Sequence, residues 1–378
     1  MDELRLPSIG YDMPITDMIL ELEKLRYKVL QGTTHPLVFN QIRNIFQMLE
    51  SIGSSRIEGN NTTIMDYVET TKIQSTEQHS EHEDIREIEN IEKATQYIEE
   101  NINNIPITLL FIRELHSIVV EGLSSKKEGA LHKGTFRESN VRISGSNHTP
   151  PDYTQVEPLM QELIDFVNEP TSPKYDLLKI AIAHHRFVWI HPFENGNGRV
   201  VRLFTYALLL KYVFTSRDRI INPTAVFCSN RDEYYIYLSK ADTGTNEGLI
   251  AWSEYMLRGL KNEIEKIDRL TNYNYLKEQI LLPALQDALN KAYITQIEYD
   301  VLRKTAEIQE MQSKDLIKEL GNVGDARRSQ VIRSLVNKSM LMQTPYNKFR
   351  YVLNFSNNYL LRSILAMLDA RGFLPTNE

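Results

Sequence analysis

One stretch near the middle of the chain combines a possible base with the residues of an anion-binding loop. It is residues 190–202, with the sequence IHPFENGNGRVVR. Pro192 disfavours the α conformation of the residue before it, so we expect a helix to end at His191 and to leave its imidazole on the edge of a loop. Two glycines flank Asn197 and let the backbone come close to a ligand without side-chain obstruction. The stretch therefore predicts a histidine beside a loop that can bind an anion.

The helix that follows this loop strengthens the same prediction. If it begins near Arg199, its free amides and the positive end of its dipole point back toward Gly196 and Gly198, which favours an anion. Arg199 and Arg202 are three residues apart and share one helix face. Two guanidinium groups beside a loop of free amides suit a polyphosphate. A base next to a polyphosphate site indicates a nucleotidyl or phosphoryl transferase.

Sequence patterns and composition exclude several other classes. The chain has no GxxxxGK(S/T) pattern, which excludes a P-loop, and nothing in it resembles the kinase motifs HRDLxxxN and DFG. Its 378 residues carry a formal net charge of −7, so any contact with nucleic acid must come from a local patch. The only cysteine, Cys228, cannot form an internal disulfide, and no apolar run is long enough to cross a bilayer. We therefore expect a cytoplasmic protein without a membrane partner.

Hydrophobic spacing predicts a mainly α protein. In most segments apolar residues recur every three or four positions, and residues 177–190 are apolar on nearly every side, which is typical of a buried central helix. Extended signals are few: the alternation at residues 141–143 and the turn residues 144–147 predict one small β-hairpin. Residues 77–87 are rich in charge, and we expect them to form a solvated connector.

The last hundred residues follow a different pattern. Residues 311–320 and 326–340 predict two helices on either side of a turn, and residues 341–344 and 350–353 predict two short strands. Helix, turn, helix and hairpin in this order resemble a winged helix-turn-helix module.

This module carries a local excess of positive charge. Between Gln312 and Tyr351 there are eight Lys or Arg residues and three acidic ones, an excess of five positive charges. Arg327, Arg328 and Arg333 lie on the helix that would read DNA, so contact with DNA phosphates is one interpretation. Docking of a protein or formation of a homodimer is the other, because winged helices serve these purposes too.

The stretch of residues 190–202 resembles the signature of the Fic family, HxFx(D/E)GNGRxxR, and matches it at every fixed position except one. The resemblance extends over roughly residues 85–257. It implies a mainly α fold, with a Fic-type helical core that has a small β-hairpin flap and with a C-terminal winged helix-turn-helix. We divide the chain accordingly into an N-terminal helical region at 1–84, a Fic core at 85–260, and a winged-helix module with a C-terminal helix at 278–378.

The family resemblance implies a role for each matching residue. His191 would be the general base that takes the proton from a target hydroxyl as it attacks the α-phosphorus of ATP, a task that suits an imidazole titrating near neutrality. Arg199 would neutralise the α- and β-phosphates, and Arg202 would pair with the γ-phosphate. The residues implied to contact ATP are Gly196, Asn197, Gly198, Arg199, Val200, Val201, Arg202, Tyr234 and Asp242. The flap residues implied to hold the target segment by strand pairing are Ser144, Gly145, Ser146 and Asn147.

One position departs from the signature, and it concerns the metal. Where the family has Asp or Glu to hold Mg²⁺, this chain has Asn195. A neutral amide oxygen is a weaker ligand for a hard cation than a carboxylate. We therefore expect Mg²⁺ as cofactor with Asn195 as its protein ligand, and with a lower affinity than the family pattern implies.

A second motif lies far upstream. Residues 54–59, SSRIEG, resemble the pattern (S/T)xxxE(G/N) of Fic proteins that carry an N-terminal inhibitory helix. The resemblance implies that Ser54 and Glu58 are inhibitory residues. Glu58 would form a salt bridge with Arg202 and occupy the cation meant for the γ-phosphate, so that ATP would bind in a pose unsuited to in-line attack.

Together these features predict a protein adenylyltransferase. It would transfer AMP from ATP to a Ser, Thr or Tyr hydroxyl of a protein, including itself, with Glu58 holding it inhibited. Within the family, removal of AMP and the use of another nucleotide or of a phosphocholine donor remain open. From a different class, the chain could be a DNA-binding regulator whose Fic core only senses nucleotide, although intact His191, Arg199 and Arg202 argue against an inactive core.

Overall fold

The computed structural model describes residues 4–27, 32–73, 83–143, 147–214, 226–227, 230–321 and 323–374. Helices dominate these residues, which confirms the mainly α fold. The chain divides into two compact units. Unit 1 contains Met1–Val29, Gln47–Thr63 and Gln78–Ile264, and unit 2 contains Leu30–Phe46, Ile64–Glu77 and Glu265–Glu378.

The helices and strands that position the site are numbered here in chain order. In the described part of the chain no helix is both long and apolar enough to cross a membrane. Short 3₁₀ segments lie at Tyr153–Gln155, Pro173–Tyr175 and Ser313–Leu316, and π-helical turns lie at Leu209–Val213 and Lys277–Leu281. The α-helices and strands are α1 (Pro14–Tyr27), α2 (Pro36–Ile57), α3 (Ile64–Ile73), α4 (Glu83–Asn101), α5 (Leu109–Val119), α6 (Val156–Asn168), α7 (Asp176–Ile190), α8 (Asn197–Leu208), α9 (Arg231–Ala241), α10 (Asn246–Thr271), α11 (Tyr273–Leu276), α12 (Leu282–Asn290), α13 (Gln296–Ile308), α14 (Asp325–Asn337), β1 (Leu341–Thr344), β2 (Asn347–Leu353) and α15 (Asn358–Ala370).

Helix α7 is the centre of unit 1, as its apolar sequence predicts. Twelve of its fifteen residues are buried, and it packs against α6 and α8. Trp252 of α10 is fully buried and donates its indole N–H to the carbonyl of Ala181 at 2.7 Å. Because α7 is enclosed in this way, its last residue, Ile190, and the loop that follows have a fixed place.

Helix α4 corrects the prediction for the charged stretch before the core. Residues 83–87 form its first turns, and Glu87 is only 3% exposed. Its neighbours Ile85, Ile88 and Ile91 are buried in the core, so the helix carries Glu87 into the protein as well. The solvated connector is therefore wrong for these residues, and residues 77–82 lie outside the described part of the chain.

The hairpin predicted for residues 141–147 is not seen as paired strands. Residues 141–143 have an irregular backbone, and residues 144–146 lie outside the described residues. Two short strands without a third strand or a helix to pack on are marginal in water. An alternation of three residues is therefore too weak a signal for stable pairing.

In unit 2 the predicted helix at residues 311–320 is wrong. This segment contains only the 3₁₀ turn Ser313–Leu316, because Met311 is fully buried and its main chain exchanges two hydrogen bonds with Tyr351. The longer helix α13 precedes it, and α14 and the antiparallel pair β1–β2 follow it close to the predicted positions. The winged helix itself stays a prediction.

Candidate active site

His191 stands at the C-terminal end of α7 in a left-handed conformation, with φ 52° and ψ 62°. Pro192 prevents the helix from continuing, as the sequence predicts. A left-handed backbone costs a residue other than glycine about 1–2 kcal/mol, so the surroundings must hold it. The N–H of His191 donates to the carbonyl of Phe187 at 3.0 Å, and its carbonyl accepts from Arg137 Nε at 2.9 Å.

The imidazole of His191 is kept neutral by its surroundings. Burial lowers its pKa to about 4, and the charge of Arg137 acts in the same direction, whereas the carbonyl of Val188 and the charge of Glu58 oppose it. The pKa is therefore well below the near-neutral value expected from the sequence. A neutral imidazole at pH 7 can still accept a proton, so the role of base is compatible with this environment.

The loop after His191 is held by its own side chains. Asn197 Oδ1 accepts from the N–H of Phe193 at 2.9 Å, and Asn197 Nδ2 donates to the carbonyl of Phe193 at 2.8 Å. The buried ring of Phe193 stacks on the ring of His116 with 3.8 Å between centroids. Gly196, at the start of α8, has φ 77°, which glycine adopts without strain. Asn197 therefore shapes the loop with its side chain.

Arg202 is bonded to the end of helix α2. Its Nη2 lies 2.7 Å from Glu58 Oε1 and 2.8 Å from the carbonyl of Ser54, and its Nε donates to Ser54 Oγ at 2.9 Å. Ser54 lies in the last turn of α2, and Glu58 follows the last residue of that helix. The salt bridge that the sequence resemblance implies between Glu58 and Arg202 is thus present in the structure.

The Glu58 carboxylate also lies at the amide end of α8. A β-carbon placed on Gly198 would lie 2.0 Å from Glu58 Oε1 and 3.0 Å from Arg202 Nη1, so only glycine leaves room for the carboxylate. Burial raises the pKa of Glu58, but the charges of Arg202 and Arg199 outweigh burial and hold the pKa below its ordinary value. The protein therefore supplies an anion of its own where a helix end and two guanidinium groups favour one.

Arg199 is buried between two further carboxylates. Its Nη1 lies 3.1 Å from Glu87 Oε1, and its Nη2 lies 2.7 Å from Glu128 Oε2 and 2.8 Å from the Glu128 carbonyl. Burial raises the pKa of both carboxyl groups, although Arg199 opposes it. Within the described residues, the buried Nε of Arg199 makes no hydrogen bond, and Nη1 contacts Glu87 as an ion pair without hydrogen-bond geometry. The N–H groups of this guanidinium are therefore only partly satisfied by the two carboxylates.

Asn195, the predicted metal ligand, lies beside the loop that carries Glu128. Its Nδ2 donates to the carbonyl of Gly129 at 2.8 Å, which leaves the amide oxygen as the atom that can meet a cation. Among the residues with a described structure, no group of three or more His, Cys, Asp or Glu side chains is arranged to hold a metal ion. Binding of Mg²⁺ at Asn195 therefore stays a prediction.

Tyr234 and Asp242 pair with the two adjacent histidines of α7. The Tyr234 hydroxyl lies 2.9 Å from His184 Nε2, and Asp242 Oδ1 lies 2.8 Å from His185 Nε2. Tyr234 is only 2% exposed. In this conformation it is a core aromatic residue, and its contact with ATP stays a prediction.

The remaining predicted contact residues have different surroundings. Val200 and Val201 bury their side chains completely, so any contact with a nucleotide must come from their main-chain amides. Asn147 of the predicted flap is exposed. The other three flap residues lie outside the described part of the chain: Ser144, Gly145 and Ser146.

Three charged residues of the site were missed in the sequence. Glu87 had a usable signal, because Ile91 and Ala94 lie four and seven positions later and place it on a core-facing helix stripe. Glu128 and Arg137 lie in irregular segments where no periodicity marks a buried position.

Comparison with known proteins shows which protein family the residues of this site resemble. Residues 106–209 match the sequence model of the Fic/DOC family, and this range includes the histidine, the loop and both arginines described above. A 193-residue stretch is 32% identical to the protein adenylyltransferase Fic of Drosophila willistoni, over 50% of this chain and 35% of that protein. The chain thus spans about a third of the length of the curated relatives it matches.

Solved structures are similar over a larger part of the chain. A Fic family protein from Desulfovibrio desulfuricans G20 has a TM-score of 0.55 at 20% identity, over 93% of this chain and 98% of that one. A Fic domain containing signaling protein from Bacteroides thetaiotaomicron VPI-5482 has a TM-score of 0.53 at 19% identity, over 68% of this chain and 97% of that one. The chain therefore contains a segment that matches the Fic/DOC family, and it has the fold of solved Fic proteins.

Proposed function

We propose that this chain transfers AMP from ATP to a Ser, Thr or Tyr hydroxyl of a protein, and that Glu58 keeps the transfer inhibited. The match to the Fic/DOC family and the identity to Drosophila protein adenylyltransferases support the reaction class. The chemistry of the site supports it independently, because a neutral His191 stands beside an anion-binding helix end.

The observation that carries the proposal is the Glu58 carboxylate at the amide end of α8. It stands in for a phosphate, because a carboxylate and a phosphate bind the same guanidinium and amide groups. Arg202 cannot make a bidentate pair with Glu58 and with the γ-phosphate of ATP together. Glu58 therefore excludes the γ-phosphate from the pose in which the α-phosphorus faces a target hydroxyl.

In the proposed reaction the target hydroxyl oxygen forms a bond to the α-phosphorus of ATP. The bond between the α-phosphorus and the oxygen bridging to the β-phosphate breaks, and pyrophosphate leaves. The hydroxyl proton passes to the neutral imidazole of His191. Arg199 and Arg202 neutralise the charge of the triphosphate, which gathers on the leaving pyrophosphate.

Mg²⁺ would lower the charge of the triphosphate and help pyrophosphate to leave. The protein group that would meet it is the amide oxygen of Asn195, whose nitrogen is bonded to the carbonyl of Gly129. Since this ligand is uncharged, we expect ATP oxygens and water to complete the coordination shell.

Removal of AMP from a modified protein is the rival that the site also favours. Glu58 has a lowered pKa and lies at the anion site, so its carboxylate is ionised and could orient a water molecule toward an AMP ester. In that reaction Glu58 would be required, whereas in the proposed transfer it is inhibitory. The two functions therefore respond to loss of Glu58 in opposite ways.

The test uses the purified Glu58→Gly variant with a lysate of the source cell and with ATP carrying ³²P at either the α- or the γ-phosphate. We expect protein to become labelled from the α-position and not from the γ-position. The matched control, Glu58→Gly with His191→Ala, should lose about 10²–10⁴ in rate while retaining ATP binding.

Other outcomes identify the rivals. Label transferred from the γ-position would show phosphoryl transfer and overturn the proposal. Release of AMP from pre-modified protein by the wild type, but not by Glu58→Gly, would favour the hydrolytic function. Absence of label from ATP, together with label from the α-phosphate of GTP, UTP or CTP or from the choline-bearing phosphate of CDP-choline, would show a different donor.

A further inference from the structure

Arg137 is a buried cation whose partners are all main-chain carbonyls. It is 3% exposed, and its Nε donates to the carbonyl of His191 at 2.9 Å. Its Nη1 donates to Ser139 at 3.0 Å, and its Nη2 donates to Pro151 at 2.5 Å and more weakly to Ile190 at 3.4 Å. One guanidinium thus joins the end of α7 to the two sides of the segment between residues 138 and 151.

The main chain of Arg137 adds a further bond to the same loop. Its N–H donates to the carbonyl of Pro192 at 2.9 Å, next to the carbonyl that its side chain holds. His191, between these contacts, has the left-handed φ of 52°. Strained backbone of this kind persists only where the surroundings fix it from several sides. Arg137 donates to the carbonyls of Ile190, His191 and Pro192. These carbonyls lie before and after the two rotatable backbone bonds of His191, so the contacts limit rotation there.

The buried positive charge of Arg137 is not balanced by an ordinary ion pair. In the described part of the chain no carboxylate lies within ion-pair distance of the Arg137 guanidinium, and burial lowers its pKa although the more distant charge of Asp152 opposes this. Helix α7 offers a partial compensation, because the carbonyls at a helix C-terminus carry negative partial charge. An uncharged core residue would fill the space without the cost of desolvating a cation, so the cation has another use.

We propose that Arg137 is a positioning residue for His191, holding its backbone so that the imidazole stays in one orientation at the end of α7. The inference rests on the proposed function only in taking His191 to be the base of the transfer reaction. Its structural content, that Arg137 fixes this histidine, can be tested without any transfer reaction.

The electrostatic consequence depends on every charged group that faces His191. Arg137 and His148 favour the neutral imidazole, whereas Glu58 favours the protonated one. His148 also bonds through its Nε2 to the carbonyl of Trp189 at 2.8 Å, so it lies at the same helix end. Removing only the Arg137 cation should therefore raise the pKa of His191.

The experiment compares Arg137→Gln and Arg137→Lys in the full chain with Glu58→Gly present. Lysine keeps the charge but cannot bond four carbonyls at once, so it separates charge from geometry. We expect the NMR titration of His191, identified by its loss in His191→Ala, to move to higher pH in Arg137→Gln but not in Arg137→Lys. We expect kcat for AMP transfer to fall about a hundredfold in both, with the KM for ATP unchanged.

Arg186→Gln and Arg186→Lys are the matched controls, because Arg186 is a buried arginine of α7, the helix that ends at His191, and it pairs with Glu162. They should leave the resonance of His191 and kcat near the parental values.

If Arg137→Gln does not fold, Arg137→Lys carries the test through kcat and the His191 chemical shift. An unchanged His191 titration in folded Arg137→Gln, or an unchanged His191 shift in folded Arg137→Lys, would overturn the proposal. Failure of the Glu58→Gly parent to transfer AMP would instead count against the proposed function, and the NMR result would still decide the role of Arg137.

Discussion

The imidazole of His191 lies in an environment that favours its unprotonated form. Burial lowers its pKa to about 4, and a base works only while it is unprotonated, so activity should fall as pH drops through that low value. We predict that AMP transfer by Glu58→Gly persists from pH 7 to about pH 5 and declines only below it. The measurement is kcat against pH. An acidic limb near 6.5, the ordinary value for histidine, would mean that the imidazole is solvated in the active enzyme.

A second prediction at this scale concerns the metal. Asn195→Asp should tighten Mg²⁺ and raise activity at low metal, because it restores a charged oxygen where the chain has an amide. The substitution also removes the N–H that bonds the carbonyl of Gly129, so thermal stability must be compared in parallel. A magnesium titration of both proteins in the Glu58→Gly background tests it. Equal half-saturating concentrations would show that residue 195 does not meet the metal.

At the scale of elements, Arg202 joins the start of helix α8 to the end of helix α2 through its ion pair with Glu58 and its hydrogen bonds to Ser54. In the proposed function Glu58 and a γ-phosphate compete for Arg202, and about 1.4 kcal/mol in favour of the internal pair would lower the competent fraction tenfold. We predict that Glu58→Gly adenylylates itself at least tenfold faster than wild type with ATP alone. Adding Arg202→Ala should abolish this gain, because Glu58→Gly acts by freeing the Arg202 guanidinium for the γ-phosphate. Equal rates for wild type and Glu58→Gly would place inhibition elsewhere.

The loop after α5 makes a comparable contact with the other arginine. Glu128 bonds Arg199 through both its carboxylate and its carbonyl, so it occupies N–H groups that a phosphate would use. Its side chain is 42% exposed, and solvent weakens such a pair. We predict that Glu128→Gln in the Glu58→Gly background tightens ATP about two- to fivefold.

Calorimetric titration with ATP measures this change, and Glu121→Gln is the control. Glu121 is also an exposed carboxylate, and it pairs with Lys133. If both substitutions alter the Kd for ATP equally, the effect is one of overall charge and not of the contact with Arg199.

These elements also show which parts of the site could be predicted from the sequence. The stretch around His191 and Arg202 is continuous, so its spacing alone indicated a helix end, a loop and a second helix. Glu58 could be paired with Arg202 only through the resemblance to a known pattern, since 144 residues separate them. Glu128 and Arg137 bind the site from irregular segments, and no periodicity reports which side chains of such segments are buried.

For the whole molecule, the helical class followed from spacing, but two local assignments failed. The charged start of α4 was judged by its composition, although the spacing of its apolar residues marks Glu87 as core-facing. The segment at Met311 was judged by periodicity, whereas a tertiary contact decides its conformation. Glu87 is drawn into the core beside Arg199, and Met311 extends because it pairs with Tyr351. The residue pattern of a single sequence does not reveal contacts between residues that are distant along the chain.

The last prediction concerns the positively charged module of unit 2. Arg328 is bonded to Asp325 and to the carbonyl of Val323, so it stabilises the start of α14, whereas Arg327 and Arg333 are exposed on that helix. If the module binds DNA, the affinity should fall steeply with salt, and each lost phosphate contact should reduce the slope of log K against log salt by about 1.

Arg327→Ala combined with Arg333→Ala should therefore flatten that slope by about 2 without unfolding the module. Arg328→Ala should instead lower thermal stability, because it removes the bonds to Asp325 in the first turn of α14 and to the carbonyl of Val323 just before it. Gel retardation of duplex DNA at several salt concentrations tests both statements. Unaltered mobility of DNA at low salt would favour protein docking, for which the exposed rings of Tyr346 and Phe349 on the β1–β2 hairpin offer an apolar surface.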